Sequence, residues 1–546
     1  MGSFDSAPNS ILAFNVLERH TLDLDTFRGS YFTALGGQYA FVEAPNGHLT
    51  SVFPIGTAIL SFPAYAGIYA LAGPPPIASA SFESARRNYE KIVAALIAAL
   101  CVVLFLLCAK LIGNTMQAAI ATAVFALATS MWTIGSQALW QHGPVNLFVL
   151  AMTFALLRAE RALATKGAWL WLLAAGLAAG FLPVIRPTAL LFSLAGLVFA
   201  LRTFRARAWP FVLCFAVGLA PGVAWNAYFF HTLAGGYRVN AEAFTVAPQP
   251  ALQAFIGLLL SPSRGLFVFS PVLLFSLWGF AAAIRSRMQS SRLFVLLGLA
   301  GVALVVMYSF FAYWWAGFVY GPRFLTDLAA ICALLLVFAI PKDPLRNRFA
   351  LGTFLVVFAY SVAIQVVGAN SGAAGAEWNA VPASVDRMPA RLWQVADNQI
   401  LRNTLAMFDK DVDWKITLQP DYVRGLGGSV SSLTLPPVVG AGTPVDLTAI
   451  VRNVGRSRLY GYDSGVYVGQ IRVRVRIFDA RDHLQSEQYL FMRGSPRTGA
   501  SAQATGTVLM PSQPGDYRVE AGLLALRLGL VPQRAALPSR HLKVTA

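Results

Sequence analysis

Charged residues are scarce in this 546-residue chain: Asp, Glu, Lys and Arg together make up 12% of it, whereas 56% of it is hydrophobic. That balance excludes an ordinary soluble domain, in which about a quarter of the residues are charged. Apolar runs recur between Lys91 and Gly368, and about 20 apolar residues suffice to cross about 30 Å of hydrocarbon. The sequence therefore predicts an integral membrane protein.

Cysteine is also scarce. The four cysteines, Cys101, Cys108, Cys214 and Cys332, all lie within apolar runs, and the polar C-terminal part has none. This distribution excludes a disulfide framework or a cysteine-based zinc site. It is typical of cysteines that serve as small apolar packing residues.

Acidic residues are outnumbered, with 25 Asp and Glu against 42 Lys and Arg, which gives a net charge of +17. In a soluble protein such an excess would suggest nucleic acid as a partner. Here the basic residues cluster in short connections between apolar runs, for example "RAERALATK" and "KDPLRNR". The positive-inside rule explains these clusters as cytoplasmic loops, so we expect no nucleic-acid partner.

The apolar runs predict ten transmembrane helices. They cover about residues 91–110, 117–136, 144–158, 168–184, 188–203, 209–230, 264–284, 292–313, 324–340 and 349–369. With the basic connections inside, residues 1–90 and everything after Asn370 face outward. We therefore expect a further apolar helix upstream of Met1, or a start assigned too late. The apolar segment Ser51 to Gly73 is predicted to lie on, or dip into, the outer surface.

The C-terminal part changes character. From about Trp414, short segments such as "QIRVRVRIFDARD" alternate apolar and polar residues and are separated by turn signals, which is typical of half-buried strands. About seven such strands indicate a sandwich that resembles immunoglobulin-like modules. We thus predict four regions: an outer first loop with interfacial helices (1–90), a transmembrane domain (91–370), a linker (371–413) and a β-sandwich (414–546).

Polar side chains that are unusual at a membrane boundary all fall on the predicted outer side. They are Asp5, Glu43, His48, Gln141, His142, Arg186, Arg264 and Arg323, with Tyr320 in the aromatic belt around Arg323 and Glu242 as a weaker member. A charge in the bilayer centre costs about 2.5 to 3.5 kcal/mol on insertion scales, so such residues indicate function. Several arginines on one face predict an anion site.

Arginine suits phosphate because its planar fork gives bidentate, permanently charged hydrogen bonds. The segments "SPSRG" and "YGPRF" place Gly or Pro beside Arg264 and Arg323, which interrupts the helix and leaves backbone N–H groups for an anion. Each arginine also fits a simpler role, in which it reaches lipid headgroups from a helix end. Asp5 likewise fits a helix N-cap, and His142 a helix cap.

Six segments carry a family resemblance over about residues 4–370. They are "FDSAPNSILAFNVLERHTLDLD", "NGHLTSVFPIGTAILSFP", "LWQHGP", "IRPTALL", "SPSRGLFVFSPVLL" and "WAGFVYGPRFLTD". Together they resemble the bacterial GT-C superfamily of polytopic glycosyltransferases, which includes the dolichyl-phosphate-mannose protein mannosyltransferase-like enzymes. The resemblance implies a GT-C-like membrane fold. It also implies transfer of a sugar from a polyprenyl-phosphate carrier on the non-cytoplasmic face, usually with inversion.

The resemblance also implies roles for single residues. Asp5 would be the general base or acceptor-positioning carboxylate, and Arg323, Arg264 and Arg186 with His142 would hold the carrier phosphate. Contacts to sugar or acceptor fall to Glu43, His48, Gln141 and Tyr320. The "DLD" at Asp23 to Asp25 is typical of a solvated loop, so we assign no metal ligand and leave the use of a divalent metal open.

The implied partners are a polyprenyl-phosphate-linked sugar, the lipid bilayer, and a glycan, lipid or protein acceptor. We expect a bacterial inner-membrane protein whose active face and sandwich are periplasmic or extracellular. Two alternatives stay open: a transporter or flippase of lipid-linked saccharide, and a surface scaffold in which the sandwich is the working part.

Overall fold

The computed structural model describes residues 5–29, 39–73, 82–163, 167–239, 250–343, 346–371, 377–408, 420–532 and 539–545. The chain divides into two compact units. The first comprises Met1–Ala316 and Gly321–Ala369, and the second comprises Gly317–Tyr320 and Asn370–Ala546. Glu242 lies outside the described residues.

The first unit is helical. Its α-helices are Ala7–Arg19 (α1), Gly56–Ala72 (α2), Phe82–Ile112 (α3), Thr115–Leu127 (α4), His142–Arg161 (α5), Ala168–Ile185 (α6), Leu190–Phe204 (α7), Trp209–Phe230 (α8), Gly236–Val239 (α9), Ala251–Leu260 (α10), Leu266–Phe269 (α11), Phe275–Arg285 (α12), Ser291–Ser309 (α13), Ala329–Ala339 (α14) and Arg348–Asn370 (α15). Short 3₁₀ turns cover Asp25–Phe27, Pro187–Ala189, Arg205–Ala208, Pro271–Leu274 and Arg323–Leu328, and a π-helical turn covers Met131–Gly135. Strands Phe41–Glu43 (β1) and Leu49–Ser51 (β2) form an antiparallel hairpin between α1 and α2.

Helices of membrane-spanning length confirm the predicted class of an α-helical polytopic membrane unit. Among the described residues, six helical segments are long and apolar enough to cross a bilayer: Phe82–Ile112, His142–Arg161, Ala168–Ile185, Pro187–Phe230, Ser291–Ser309 and Arg348–Asn370. Shorter apolar helices cover Gly56–Ala72, Thr115–Leu127, Ala251–Leu260 and Pro271–Arg285. The count of ten crossings stays a prediction.

Helices α6 and α8 pack closely because both carry a small-residue motif. Gly176 and Gly180 lie in "GLAAG" on α6, and Gly218 and Gly222 lie in "GLAPG" on α8. A Cβ atom at Gly176 or Gly180 would overlap the main chain of α8. Small residues four apart let two helix backbones approach in this way. Arg186 directly follows α6.

The second unit contains an all-β part, which confirms the predicted fold class. Its strands are Gly428–Thr434 (β3), Val438–Gly440 (β4), Pro444–Asn453 (β5), Ile471–Phe478 (β6), Leu484–Met492 (β7), Ser501–Leu509 (β8), Gly515–Ala525 (β9), Gly529–Leu530 (β10) and Ser539–Thr545 (β11). They hydrogen-bond in the order β3-β5-β8-β7-β6-β9-β11-β4, with β10 beside β9. Only the β11–β4 pairing is parallel among the pairings of these described strands.

Strand β6, "IRVRVRIF", shows why the strands form. Its Ile and Val residues are buried in the core while its arginines alternate on the other face. A side-chain period of two is what a strand with one buried face requires. The alternation read from the sequence therefore identifies the strand and its buried face together.

The described part of the predicted linker, residues 377–408, belongs to the second unit. It contains a 3₁₀ turn, Pro389–Trp393, and a helix, Gln399–Phe408. The buried Arg391 guanidinium lies 4.8 Å from the centre of the Trp378 ring, and its Nη2 is 3.6 Å from a carboxylate oxygen of Asp397. This stretch is therefore a packed part of its unit.

Candidate active site

An ion pair joins the beginning of the described chain to the "YGPRF" segment. Arg323 Nη1 donates to Asp5 Oδ2 over 2.5 Å, and the two side chains are 17% and 13% exposed. Asp5 lies just before α1, and Arg323 begins a 3₁₀ turn. Gly321 has a φ of +70°, and a side chain there would meet the ring of Phe269. Glycine is thus required for the turn that presents Arg323.

A second cluster is centred on the buried Asp327. His142 Nδ1 lies 2.7 Å from Asp327 Oδ1, and Arg186 Nε lies 3.3 Å from Asp327 Oδ2. The Nη2 of Arg186 also donates to the hydroxyl of Tyr308 over 2.8 Å. The carboxylate of Asp327 thereby compensates the buried Arg186 charge, as a buried ion requires.

The contacts define the tautomer of His142. Its Nε2 lies 3.3 Å from Arg186 Nη1, and a guanidinium can only donate. Nε2 therefore accepts, which leaves the proton on Nδ1, where it is donated to Asp327. His142 is thus a neutral group that orients Arg186 from one side while Asp327 orients it from the other.

Phe324 connects the two clusters. The guanidinium carbon of Arg186 lies 5.5 Å from the centre of the Phe324 ring, and that of Arg323 lies 5.7 Å from it. The guanidinium carbon of Arg323 also lies 5.5 Å from the centre of the Trp140 ring. Two permanent cations thus lie near one ring, and the buried Nε of Arg323 has no hydrogen-bond acceptor among the residues that the structure describes. Such an arrangement favours an anionic ligand.

Arg264 has a different environment. It is buried, its Nε donates to the carbonyl of Trp315 over 2.9 Å, and its Nη1 donates to the carbonyl of Ser263 over 2.7 Å. These acceptors are main-chain groups of two loops. Phosphate binding by Arg264 stays a prediction. Its hydrogen bond to the carbonyl of Trp315 holds the loop that contains that residue.

Glu43 and His48 belong to a third cluster, at the β1–β2 hairpin. Glu43 forms an ion pair with Arg28, and His48 Nδ1 lies 2.8 Å from Asp25 Oδ2. The hydrogen bond to Asp25 raises the pKa of His48. Burial opposes ionisation of Asp25, but hydrogen bonds from His48, the Leu49 amide and Arg28 outweigh it and lower the pKa of Asp25.

The same hairpin tests the open question of a metal. One oxygen or nitrogen from each of Asp23, Asp25 and His48 lies within 4.8 Å of the others. However, Asp25 already accepts from His48, the Leu49 amide and the Arg28 guanidinium. A cation next to Arg28 would be repelled, so this cluster does not fit a metal.

The remaining predicted residues lie as follows. Gln141 is buried and its side chain interacts with that of Tyr237. Tyr320 belongs to the second unit, so a role in contacting sugar stays a prediction for it. The structure therefore brings together Asp5, Arg323, Arg186 and His142, and it places Glu43 and His48 in a hairpin cluster of their own.

Several residues of the site are not predicted from the sequence. Asp327 ends the very segment that predicted Arg323, and an acid at the start of an apolar run is a signal that could have found it. Tyr308 lies inside an apolar helix, α13, where nothing in the sequence separates it from a packing residue. Arg86 and Glu90 precede the first predicted span, which begins at about residue 91, whereas α3 begins at Phe82 and includes both.

These observations define a class of structure: a helical membrane unit in which two arginines, each paired with an aspartate, lie at one aromatic ring. No family model matches the chain, and no curated protein does. Solved structures do show similarity. One is ArnT from Cupriavidus metallidurans bound to undecaprenyl phosphate, with 12% identity and a TM-score of 0.44 over 81% of this chain and 78% of that one.

Another similar structure is the archaeal oligosaccharyltransferase AglB from Archaeoglobus fulgidus, in complex with an inhibitory peptide and a dolichol-phosphate. The identity is 12% and the TM-score 0.42, over 72% of this chain and 56% of that one. A CARDB domain from Pyrococcus furiosus is 20% identical over 22% of this chain and 94% of that domain, with a TM-score of 0.15. Since all these TM-scores are below 0.5, a function has to rest on the geometry of the site.

Proposed function

We propose that the protein is a GT-C membrane glycosyltransferase that moves a sugar from a polyprenyl-phosphate carrier to an acceptor. The observation that carries the proposal is the position of Asp5 on Arg323, with Arg186 on the same Phe324 ring. Asp5 would supply a proton acceptor, and the two guanidinium groups at the Phe324 ring would supply a phosphate site beside it. Transfer from a sugar phosphate to a hydroxyl group needs these two functions.

In the proposed reaction, Asp5 accepts the proton of the acceptor hydroxyl as its oxygen attacks the anomeric carbon of the sugar. The bond between that carbon and the phosphate oxygen breaks, and its electron pair leaves with the phosphate. Arg323 and Arg186 stabilise the negative charge that develops there. The products are the glycosylated acceptor and free polyprenyl phosphate, and the acceptor proton is on Asp5.

This reaction needs a single carboxylate. Phosphate leaves as an anion, so no acid has to protonate the leaving oxygen, in contrast to the paired carboxylates of glycoside hydrolysis. A direct attack opposite the phosphate inverts the anomeric centre. His142 and Asp327 have a supporting role in this scheme, because they fix the orientation of Arg186.

The proposal extends to location and partners. Because basic connections are expected on the cytoplasmic side, we propose that the site faces the periplasm of a bacterial inner membrane. The polyprenyl chain of the donor would lie in the bilayer. The acceptor is a glycan, lipid or protein of the cell envelope. The role proposed for the β-strand part of the second unit is to act as a spacer or to dock that acceptor.

The test uses membranes from cells that express the full chain, supplied with radiolabelled polyprenyl-phosphate sugars. Wild type is compared with Asp5→Asn and Arg323→Ala at matched expression, and Arg346→Ala is the control because Arg346 is an exposed arginine of a short connection. Label that moves to an acceptor in wild type and in the control, but not in the two site variants, supports the proposal. If labelled lipid changes sides of the membrane without any transfer, the protein is a transporter and the proposal is wrong.

A further inference from the structure

Helix α3 carries a buried ion pair that contacts the residues next to Asp5 and Trp140. Arg86 and Glu90 are both fully buried, and Arg86 Nη1 donates to Glu90 Oε2 over 2.5 Å. Arg86 also pairs with Glu83 at 2.7 Å. Such a pair is costly to bury, because each charge loses its water. Its contacts show what it holds.

Glu90 accepts from two separate segments of the site. Its Oε1 accepts from the hydroxyl of Ser6 and from the amide of Leu139 over 3.0 Å. Ser10, on the first turns of α1, accepts from Arg86 Nη1 over 2.9 Å. One carboxylate with its arginine therefore joins α3 to the beginning of α1 and to the segment that precedes α5.

The neighbours of these contacts are the residues of the proposed reaction. Ser6 follows Asp5 directly, and Leu139 precedes Trp140, whose ring lies 5.5 Å from the Arg323 guanidinium. The same oxygen of Glu90 thus fixes the residue next to the carboxylate and the residue next to the ring that supports the arginine. A second contact joins the two segments, because Asn9 Nδ2 donates to the Leu139 carbonyl over 3.3 Å.

We propose that Glu90, together with Arg86, is a positioning residue that sets the distance between Asp5 and Arg323. This inference rests on the proposed function, because it assigns a role in that reaction. Glu90 contacts neither of the two groups itself. It acts through Ser6 and Leu139, and a displacement of about 1 Å at a reacting group can cost about 10²-fold in rate.

The activity test uses the purified full chain with the labelled donor. Ser6→Ala removes one hydroxyl and no charge, and Glu90→Gln keeps the size of the side chain while removing its charge. We expect kcat to fall about tenfold for Ser6→Ala and about 10²-fold for Glu90→Gln, with KM for the donor changed less than about twofold. Glu90→Asp, which keeps the charge, should recover part of the loss.

The matched control is Ser193→Ala. Ser193 is also buried and donates to the main chain, at the carbonyl of Ala179, but it joins α7 to α6 rather than α3 to the site. We expect its kcat to equal that of wild type. Unchanged kcat in both Ser6→Ala and Glu90→Gln would overturn the proposal, and so would an equal loss in Ser193→Ala, which would indicate general destabilisation.

A second readout does not depend on activity. Hydrogen exchange is measured by mass spectrometry on peptides that cover residues 5–12 and 136–142, in wild type and in the double variant Arg86→Met/Glu90→Leu. That variant removes both charges and so avoids an unpaired buried ion. Faster exchange in both peptides supports the positioning role, and unchanged exchange overturns it. If wild type transfers no sugar, the proposed function fails, and these peptides still show whether Glu90 holds both segments.

Discussion

Arg323 Nη1 lies 2.5 Å from Asp5 Oδ2 although the two residues are 318 positions apart in the sequence. Both side chains are largely buried, so each charge depends on the other for compensation. The pair places the proposed proton acceptor next to the proposed phosphate ligand. A substitution at Asp5 or Arg323 can therefore change both the reaction rate and the stability of the protein. The variants below are chosen so that these two effects can be separated.

Asp5→Asn keeps the shape of the side chain and removes its basicity. We expect kcat to fall by about 10²- to 10⁴-fold, the range typical of a general base. Binding of polyprenyl phosphate should change only a few-fold, because the arginines remain. Steady-state transfer and equilibrium binding of polyprenyl phosphate measure the two quantities, and a variant with normal kcat would show that Asp5 is not the base.

Arg323→Lys keeps the charge and loses the planar fork. We expect Kd for polyprenyl phosphate to rise about tenfold or more, because a charge-assisted hydrogen bond contributes about 1.5 to 3 kcal/mol. Arg264→Lys is the comparison. Since Arg264 donates to the carbonyls of Trp315 and Ser263, its replacement should lower Tm and leave Kd near the wild-type value. A raised Kd in Arg264→Lys with an unchanged Kd in Arg323→Lys would show that Arg264, and not Arg323, binds the phosphate.

Asp327→Asn should destabilise the first unit strongly. The substitution leaves the buried Arg186 without its anionic partner, and breaking a buried pair costs about 3 to 5 kcal/mol. Tyr308→Phe removes one hydrogen bond from the same guanidinium, and we expect a loss of about 1 to 2 kcal/mol. Thermal unfolding of the purified protein measures both, and equal Tm values for wild type and Asp327→Asn would contradict the arrangement.

The hairpin contact between His48 and Asp25 should depend on pH. The pKa of His48 is raised from 6.5, so its contribution to stability is complete below 6.5 and is lost as pH rises through the folded value. The pKa of Asp25 is lowered from 3.8, so its contribution is complete above 3.8 and is lost as pH falls through the folded value. The contact therefore contributes most to stability between pH 3.8 and pH 6.5, the ordinary pKa values of the two groups.

Nuclear magnetic resonance of selectively labelled histidine tests this directly. In Asp25→Asn, the pKa of His48 should fall toward 6.5, because the hydrogen bond from the imidazolium to the carboxylate is the main cause of its rise. Asp23→Asn is the control. Asp23 raises the pKa of His48 through its charge alone, so this variant should lower that pKa less than Asp25→Asn does. An unchanged titration of His48 in Asp25→Asn would rule out the contact.

The sequence predicts a helical membrane part followed by an all-β part, because apolar runs and period-two alternation are strong local signals. It also predicts that Asp5, Arg186, Arg323 and His142 matter, because polar groups at a membrane boundary are costly. It could not show that Arg323 meets Asp5, because the two residues are 318 positions apart and no local pattern links them. The role of Glu90 cannot be predicted for a related reason, because its contacts with Ser6 and Leu139 span 84 and 49 positions. Asp327, by contrast, has a local signal, since it is an acid at the start of an apolar run.

The central claim is that the protein cleaves the bond between sugar and carrier phosphate. The direct measurement is the amount of free polyprenyl phosphate that wild type releases from a synthetic polyprenyl-phosphate sugar in proteoliposomes, determined by mass spectrometry together with the glycosylated acceptor. We expect equal amounts of the two products in wild type, and both products to form at least about 10²-fold more slowly in Asp5→Asn. An intact donor after prolonged incubation with a broad set of sugars and acceptors, or full release in Asp5→Asn, would contradict it.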